Sequence, residues 1–236
     1  MTDQAEALVH IVDIDADAQQ LLSHWLAAVG IASRTYANLG AFLNSSRSEQ
    51  PGCLVIDVQR LALSGLESLL LPLPRVTGFP VVLTACQADV AMAVRAMKIG
   101  AIDFVEKPLR EAEIVVAVCS AIKIDRQQRL IASRHAELHA RFETLSRRER
   151  EVMALVTAGK MNKQVGDHLG VSEITVKAHR GAMTRKMGAR SLADLVRMAD
   201  ALGKNLQQPP PRNGSSTPAR SAAAADRHSG YSPAPS

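Results

Sequence analysis

The chain has 236 residues, a length that allows one large or two small domains. Its formal net charge is +5. No apolar run approaches the ~18 residues of a membrane-spanning helix, and the acidic start MTDQAEAL lacks the basic residues of a signal peptide. The three cysteines are odd in number and far apart, which excludes a disulfide framework; we expect a cytoplasmic protein with free thiols.

Short apolar segments alternate with amphipathic segments in the first half of the chain. We predict strands over 7–12, 32–36, 52–57, 79–84 and 101–106. We predict helices over 17–30, 39–46, 65–71, 89–100 and 111–124. Repeated strand–helix units of this length favour right-handed crossovers. They therefore predict an α/β fold with a doubly wound parallel sheet.

Polar residues follow several of these strands. Asp13 follows the first strand within LVHIVDIDAD, Asp57 ends the third, Thr84 ends the fourth, and Lys107 follows the fifth and precedes Pro108. The carboxyl ends of parallel strands meet at one edge of a sheet, so these side chains are expected to converge. Two carboxylates suit Mg²⁺, and a hydroxyl and an ammonium suit a phosphoryl group. A cis bond before Pro108 would aim the lysine inward.

The rest of the chain is basic and mostly helical. Residues 1–124 have a net charge of −4 and residues 142–206 a net charge of +5, which indicates two modules with different partners. Residues 125–141 contain no glycine or proline and predict a helical linker. Ile124, Ile131, Leu138 and Leu145 recur every seven residues, which fits either a dimer seam or a stripe packed on the neighbouring domains. Residues 207–236 are rich in Pro, Ser and Ala and predict a disordered tail.

Residues 142–206 contain the start and stop signals of four short helices. Ser146 with Glu149 forms an S-x-x-E capping box, and Asn162, Ser172 and Ser191 are candidate caps for the next three helices. The second and third helices, joined by a turn that contains Gly170, predict a helix-turn-helix. We therefore expect residues 142–206 to form an all-α domain that binds double-stranded DNA. Basic residues on the third helix would contact phosphates or guanines.

The first 124 residues resemble the receiver domain of two-component response regulators, most closely the FixJ branch of the NarL/FixJ family. The resemblance rests on VHIVD, CLVIDVQRLALSGLE, PVVLTA and MAVRAMKIGAIDFVEKPL. It implies a five-stranded parallel sheet in the order 2-1-3-4-5, with a sensor histidine kinase as partner. It identifies Asp57 as the phosphoacceptor. It further implies a metal site of Asp13, Asp57 and the Gln59 carbonyl, and phosphate or switch residues Thr84, Phe104 and Lys107.

Two positions depart from the receiver pattern. Ile14 stands where the family has a second acid that binds Mg²⁺, and Leu61 stands where a proline is usual. Either Mg²⁺ binds more weakly while Asp57 is still phosphorylated, or the switch no longer depends on phosphate. The first alternative is favoured because every other member of the pocket is intact.

The basic module resembles the LuxR-type output domain through LSRREREV, NKQVGDHLGVS and TVKAHR. The resemblance implies a four-helix DNA-binding domain that commonly acts as a dimer. The residues it places against bases or phosphates are Lys163, Thr175, Lys177, Ala178, Arg180, Gly181 and Arg185. Gly181 departs from relatives with larger side chains, so it offers no base contact and costs ~1 kcal/mol in a helix against alanine.

Together these features predict a DNA-binding response regulator. Phosphorylation at Asp57 would control homodimerisation and promoter binding, and thereby transcription. A phosphorylation-independent transcription factor with the same output domain is the main alternative. An enzyme or small-molecule-binding protein that uses the acidic edge is a third, but the chain has no G-x-G-x-x-G motif and no P-loop. We therefore expect no enzymatic activity.

Overall fold

The computed structural model describes residues 7–45, 49–58, 73–86 and 90–203. The chain divides into two compact units between Ala140 and Arg141. The described residues contain no helix that is long and apolar enough to cross a membrane.

Five parallel strands form the sheet of the first unit. They are β1 (Leu8–Val12), β2 (Ala32–Tyr36), β3 (Gly52–Asp57), β4 (Val81–Cys86) and β5 (Asp103–Lys107). Their order in the sheet is β2-β1-β3-β4-β5, and all four pairings are parallel. The predicted fold class is therefore confirmed, and all five strands begin and end within a few residues of their predicted limits.

The described helices that begin in this unit are α1 (Ala16–Ala28), α2 (Leu39–Leu43), α3 (Leu73–Thr77), α4 (Val90–Lys98) and α5 (Glu111–Glu143), whose last three residues belong to the second unit. Asp15 is the N-cap of α1, and its side chain accepts a hydrogen bond from the Asp17 amide. The helix predicted over 65–71 lies outside the described residues, and α3 had no counterpart among the predicted helices. The helix predicted over 111–124 continues without a break through the predicted linker as the 33-residue α5.

The sheet separates two apolar layers. One layer packs β1 and β3 side chains such as Val9 and Val55 against α1 and the first part of α5. The other layer surrounds Leu54 and Leu83 and includes Phe42 and Phe79. Strand side chains point alternately to the two faces, and both faces are covered at the centre of the sheet, so β1, β3 and β4 are apolar and buried at most positions.

His10 is a buried polar residue in the second layer. Its Nδ1 atom lies 3.1 Å from the Tyr36 hydroxyl, and its ring packs against the rings of Phe42 and Phe79. Burial, with a smaller contribution from the charge of Arg34, lowers the pKa of His10 to about 4. The imidazole is therefore neutral at pH 7, and it serves as a core side chain.

Four helices form the second unit: α6 (Arg147–Thr157), α7 (Asn162–Leu169), α8 (Glu173–Met187) and α9 (Leu192–Leu202). The predicted caps Ser146, Ser172 and Ser191 are confirmed. The prediction that Asn162 caps α7 is wrong. Met161 is the cap residue and Asn162 is the first helical residue, because the Gln164 side chain accepts a hydrogen bond from the Met161 amide at 2.9 Å.

Glu149 fastens α6 to α8. Its buried carboxylate accepts hydrogen bonds from the Ser146 amide at 2.7 Å and from Lys186 Nζ at 2.6 Å. Burial raises the pKa of Glu149, but the bonds to Lys186 and Ser146 together outweigh burial. In the folded protein the pKa of Glu149 therefore lies below its usual 4.5.

We expect this contact to make the stability of the second unit depend on pH. A carboxyl group with a lowered folded-state pKa stabilises the fold above pH 4.5, and the stabilisation disappears as the pH falls through the folded-state pKa. Glu149→Gln should therefore lower the free energy of unfolding by about 1–2 kcal/mol at pH 7. Urea unfolding at pH 7 and pH 3 measures this difference. A difference as large at pH 3 as at pH 7 would contradict it.

Candidate functional site

Three polar side chains are buried together near the carboxyl ends of β1, β3 and β4. Asp13 is the residue after β1 and is 3% exposed, and Thr84 is 1% exposed. Asp57 is the last residue of β3 and pairs with Thr84 in the register of β3 and β4. The convergence that the parallel topology predicts is therefore present for these three residues.

Lys107 at the end of β5 joins the two acids. Its Nζ atom lies 2.8 Å from Asp13 Oδ2 and 3.1 Å from Asp57 Oδ2. Burial lowers the pKa of Lys107, but the bonds to both carboxylates outweigh burial and raise the pKa above its usual 10.5. The lysine is therefore charged at neutral pH. The bond from Lys107 to Pro108 is cis, as expected from the sequence.

The segment after β1 shows where the other acids and Ile14 lie. The second oxygen of Asp13 accepts a hydrogen bond from the Asp15 amide at 2.9 Å. The Asp15 carboxylate is exposed and accepts from the Asp17 amide, so it serves as a helix cap. Ile14 is 72% exposed. The side chain that replaces the usual acid therefore points to solvent and does not fill the pocket.

The remaining pocket residues meet the chemical needs of a phosphoryl group and a hard cation. Among the described residues, the Thr84 hydroxyl has no hydrogen-bond partner, so it is available to a ligand at the end of β4. The carboxylates of Asp13 and Asp57 are the oxygen donors that Mg²⁺ prefers. Gln59, whose carbonyl is the third predicted ligand, lies outside the described residues. Phe104 is half-buried on β5 and lines a shallow pocket with Val116 of α5.

In the second unit, α7 and α8 form a helix-turn-helix. Gly170 ends α7 in the left-handed region, with φ of +67°, where glycine is favoured. Gly166 allows the following turn to approach α7, because a Cβ atom there would lie 2.7 Å from the Val171 carbonyl oxygen. Val176, Met183 and Met187 are buried along one side of α8, as their spacing predicts.

The predicted DNA-binding residues lie on α8 and, in one case, on α7, and they differ in exposure. Exposed members are Lys163 on α7 and, on α8, Lys177, Ala178 and Arg185. Half-buried members are Thr175, Arg180 and Gly181.

Three of these residues are already held by neighbours. Lys177 lies 3.2 Å from Glu173, and Arg180 Nη1 donates to Asn162 Oδ1 at 2.9 Å. The Thr175 hydroxyl shares a hydrogen bond with the Ser172 hydroxyl.

Ile174 is an exposed residue of α8 that is not among the DNA-binding residues predicted from the sequence. Its side chain is 79% exposed on α8. It lies three residues before Lys177 and four residues before Ala178, so all three residues share one helix face. An exposed isoleucine on a face of this kind matches the apolar contact that thymine methyl groups accept. Its spacing from Lys177 is the signal that could have identified it.

The glycines of this unit allow a paired test of the geometry. A Cβ atom on Gly181 would meet only the end of the Arg185 side chain at 3.6 Å, so Gly181→Ala should stabilise α8 by ~1 kcal/mol. Gly166→Ala should destabilise the unit by about 1–3 kcal/mol, because the new methyl group meets backbone. Thermal unfolding of the two variants measures both effects, and the same sign for both would contradict the described packing.

Two family models match the chain in consecutive segments. Residues 9–119 match the response regulator receiver domain, and residues 143–199 match the bacterial regulatory proteins of the luxR family. The first segment contains Asp13, Asp57, Thr84 and Lys107, which together form the acidic pocket. The second contains the helix-turn-helix of α7 and α8.

Several relatives match this chain over most of their own length. Nodulation protein W of Bradyrhizobium diazoefficiens is 42% identical over 84% of this chain and 87% of its own length. Transcriptional regulatory protein FixJ of Rhizobium meliloti is 36% identical over 83% of this chain and 96% of its own length. The solved structure of the response regulator StyR is 35% identical, with a TM-score of 0.72, and covers 83% of this chain and 99% of that chain. The chain therefore belongs to the NarL/FixJ family of two-component response regulators, which are transcription regulators with a LuxR-type DNA-binding domain and not enzymes.

Proposed function

We propose that Asp57 accepts a phosphoryl group from a sensor histidine kinase and that this step controls dimerisation and promoter binding. An Asp57 carboxylate oxygen attacks the phosphorus atom, the bond between phosphorus and the kinase histidine breaks, and the imidazole leaves. The observation that supports this proposal most strongly is the bridge from Lys107 to both Asp13 and Asp57. A single cation held between two buried carboxylates is positioned to neutralise new phosphoryl oxygens.

The proposed metal ligands are Asp13, Asp57 and the Gln59 carbonyl. Bound Mg²⁺ would neutralise negative charge on the phosphoryl group. Ile14 supplies no oxygen, so the site has one carboxylate fewer than the family pattern. In addition, Lys107 competes for Oδ2 of Asp13 and of Asp57. We therefore propose that this protein binds Mg²⁺ more weakly than receivers with a second acid.

The proposed switch links the phosphate to the α4–β5 surface. The Thr84 hydroxyl would donate a hydrogen bond to a phosphoryl oxygen, and Phe104 on the neighbouring strand would change rotamer as Thr84 moves. Val90, Val94 and Met97 are large apolar residues of α4 that are 81%, 47% and 48% exposed. An exposed apolar surface of this kind favours an interface, and we propose that it forms the dimer of the phosphorylated protein.

Incubation with acetyl phosphate and Mg²⁺ tests the phosphoacceptor, because transfer forms the Asp57 acyl phosphate and releases acetate. We expect intact mass spectrometry to find one added phosphoryl group on the wild type and none on Asp57→Asn. Size-exclusion chromatography of the treated wild type should show a larger dimer fraction. Asp103→Asn, a substitution elsewhere on the sheet, is the matched control and should be modified like the wild type.

A phosphorylation-independent transcription factor is the second candidate. Ile14 favours it, because this residue leaves the pocket without the second acid of the family pattern. In that case acetyl phosphate adds no mass, and the wild type and Asp57→Asn bind promoter DNA with equal affinity. This result would overturn the proposal for phosphate control and leave the DNA-binding assignment in place.

For the output domain we propose that the exposed face of α8 enters the major groove. Lys177, Ala178, Gly181 and Ile174 would face bases. The proposed phosphate contacts are Lys163, Thr175, Arg180 and Arg185. The proposed division of the chain is a receiver over 1–124, a helical linker over 125–141, the DNA-binding domain over 142–206 and a tail over 207–236.

Salt-dependent filter binding with promoter DNA tests these roles. Arg185→Ala should weaken binding to all sequences alike and reduce the salt slope by about 1, since one phosphate contact is lost. Ile174→Ala should leave the slope unchanged and weaken specific binding by about 1 kcal/mol, since only an apolar base contact is lost. Lys123→Ala, on the first unit, is the control and should change neither. Equal behaviour of Arg185→Ala and Lys123→Ala would contradict the proposed face.

A further inference from the structure

Two histidines lie on adjacent turns of α5, away from the acidic pocket. His135 and His139 are four residues apart within the segment HAELH, so they share one helix face. His135 is exposed and His139 is half-buried. Their ring centroids are 5.2 Å apart, with an angle of 42° between the ring planes. Among the described residues, neither imidazole has a hydrogen-bond or ion-pair partner. The nitrogens of both rings are therefore available to a ligand.

The separation of the two rings fits a shared metal ion. A Zn–N bond of about 2.05 Å places the metal about 3.2 Å from the centre of each imidazole, and tetrahedral geometry then places the two centres about 5.2 Å apart. The observed centroid distance is 5.2 Å. The helix backbone therefore needs no rearrangement to bring both rings within coordination range, and rotation about the side-chain bonds aims the nitrogens.

We propose that His135 and His139 bind one late-transition-metal ion, such as Zn²⁺ or Ni²⁺, through one nitrogen of each imidazole, with water in the remaining positions. Imidazole nitrogens prefer these metals, whereas Mg²⁺ prefers oxygen ligands. The proposed site therefore differs from the acidic pocket in both position and metal. The bound ion cross-links two turns of the helix and opposes its unfolding at this point.

A swap of neighbouring residues tests the spacing without changing the composition. Arg134→His combined with His135→Arg retains two histidines and one arginine in the segment, but the histidines are then five residues apart. Their directions around the helix then differ by about 140° instead of about 40°. Full-length protein is titrated with ZnCl₂ in competition with a chromophoric chelator. We expect the swap to bind about 100-fold more weakly than the wild type, because chelation by a second ligand is lost.

Further variants and a second measurement separate this site from the cysteines and the other histidines. His135→Ala and His139→Ala should each weaken binding as much as the swap, whereas the exposed His24→Ala should not. Hydrogen exchange of the amides around residues 131–140 should slow on addition of Zn²⁺ in the wild type and in His24→Ala, but not in the swap. The proposal is overturned if the swap binds Zn²⁺ as tightly as the wild type, or if exchange in this segment does not respond to the metal.

Discussion

Asp125→Ala is expected to lower the free energy of unfolding of the first unit by about 3 kcal/mol, because the change removes a buried carboxylate with two partners. Asp125 is 1% exposed. Its Oδ2 atom accepts hydrogen bonds from the Gly52 amide at 2.8 Å and from Arg129 Nε at 2.7 Å. The Gly52 amide begins β3, and without Asp125 it is left as a buried donor that has lost its partner.

Arg129 extends the same contact to two further parts of the unit. Its Nη1 atom donates to the Glu49 carbonyl at 2.9 Å, and its guanidinium lies 5.5 Å from the centre of the Phe79 ring. Asp125 and Arg129 therefore fix the continuation of α5 against the start of β3. The opposite end of β3 bears Asp57, so this anchor and the acidic pocket share one strand.

Urea unfolding at pH 7 measures the effect, with two matched variants. Asp125→Asn keeps an oxygen that accepts from the Gly52 amide but loses the charge, and should cost about 1 kcal/mol. Gln127→Ala changes an exposed residue of the same helix and should shift stability by less than about 0.5 kcal/mol. If Asp125→Ala behaves like Gln127→Ala, the anchor does not contribute to stability.

The sequence placed Asp125 in a linker, for a physical reason. Helix propensity and apolar spacing are local, and both predict a helix over 125–141 correctly. The Gly52 amide that Asp125 accepts from lies 73 residues earlier in the chain. No local pattern around an aspartate in a polar helical segment indicates that its carboxylate accepts a distant backbone amide. The extent of the helix was therefore predictable, whereas its anchorage was not.

The acidic pocket was predictable because topology alone brings its residues together. Once the sheet is parallel, Asp13, Asp57 and Thr84 must lie at one edge, and the structure places them there. The orientation of each side chain depends on neighbours that the sequence pattern does not specify. Thus neither the exposure of Ile14 nor the two-sided bridge of Lys107 followed from the sequence.

The second unit shows the same division between local and distant information. The serine caps are local, since each side chain bonds an amide three residues later. The cap of α7 was wrongly placed on Asn162, because asparagine is a favoured cap and methionine is not. The Asn162 side chain instead accepts a hydrogen bond from Arg180, 18 residues away on α8. A distant partner therefore accounts for a polar side chain whose type suggested a local role.

Ile14→Asp is expected to raise the affinity for Mg²⁺ by roughly 10- to 100-fold, because it supplies the carboxylate that the pocket lacks. The exposed isoleucine fills no core space, so its replacement removes little packing. The new acid lies beside Asp13, whose charge Lys107 already shares with Asp57. Without metal, the extra negative charge should destabilise the unit. Added Mg²⁺ should therefore stabilise the variant more than the wild type, since ligand binding to the folded state raises its stability.

Isothermal titration with MgCl₂ measures the affinity directly and does not depend on phosphorylation. Ile14→Asn is the matched control, because it has the shape of aspartate without the charge, and its affinity should stay close to that of the wild type. Acetyl phosphate should then modify Asp57 of Ile14→Asp at a lower Mg²⁺ concentration than in the wild type. If the variant and the wild type bind Mg²⁺ equally, position 14 does not limit the cation site, and the proposal that Ile14 weakens Mg²⁺ binding is wrong.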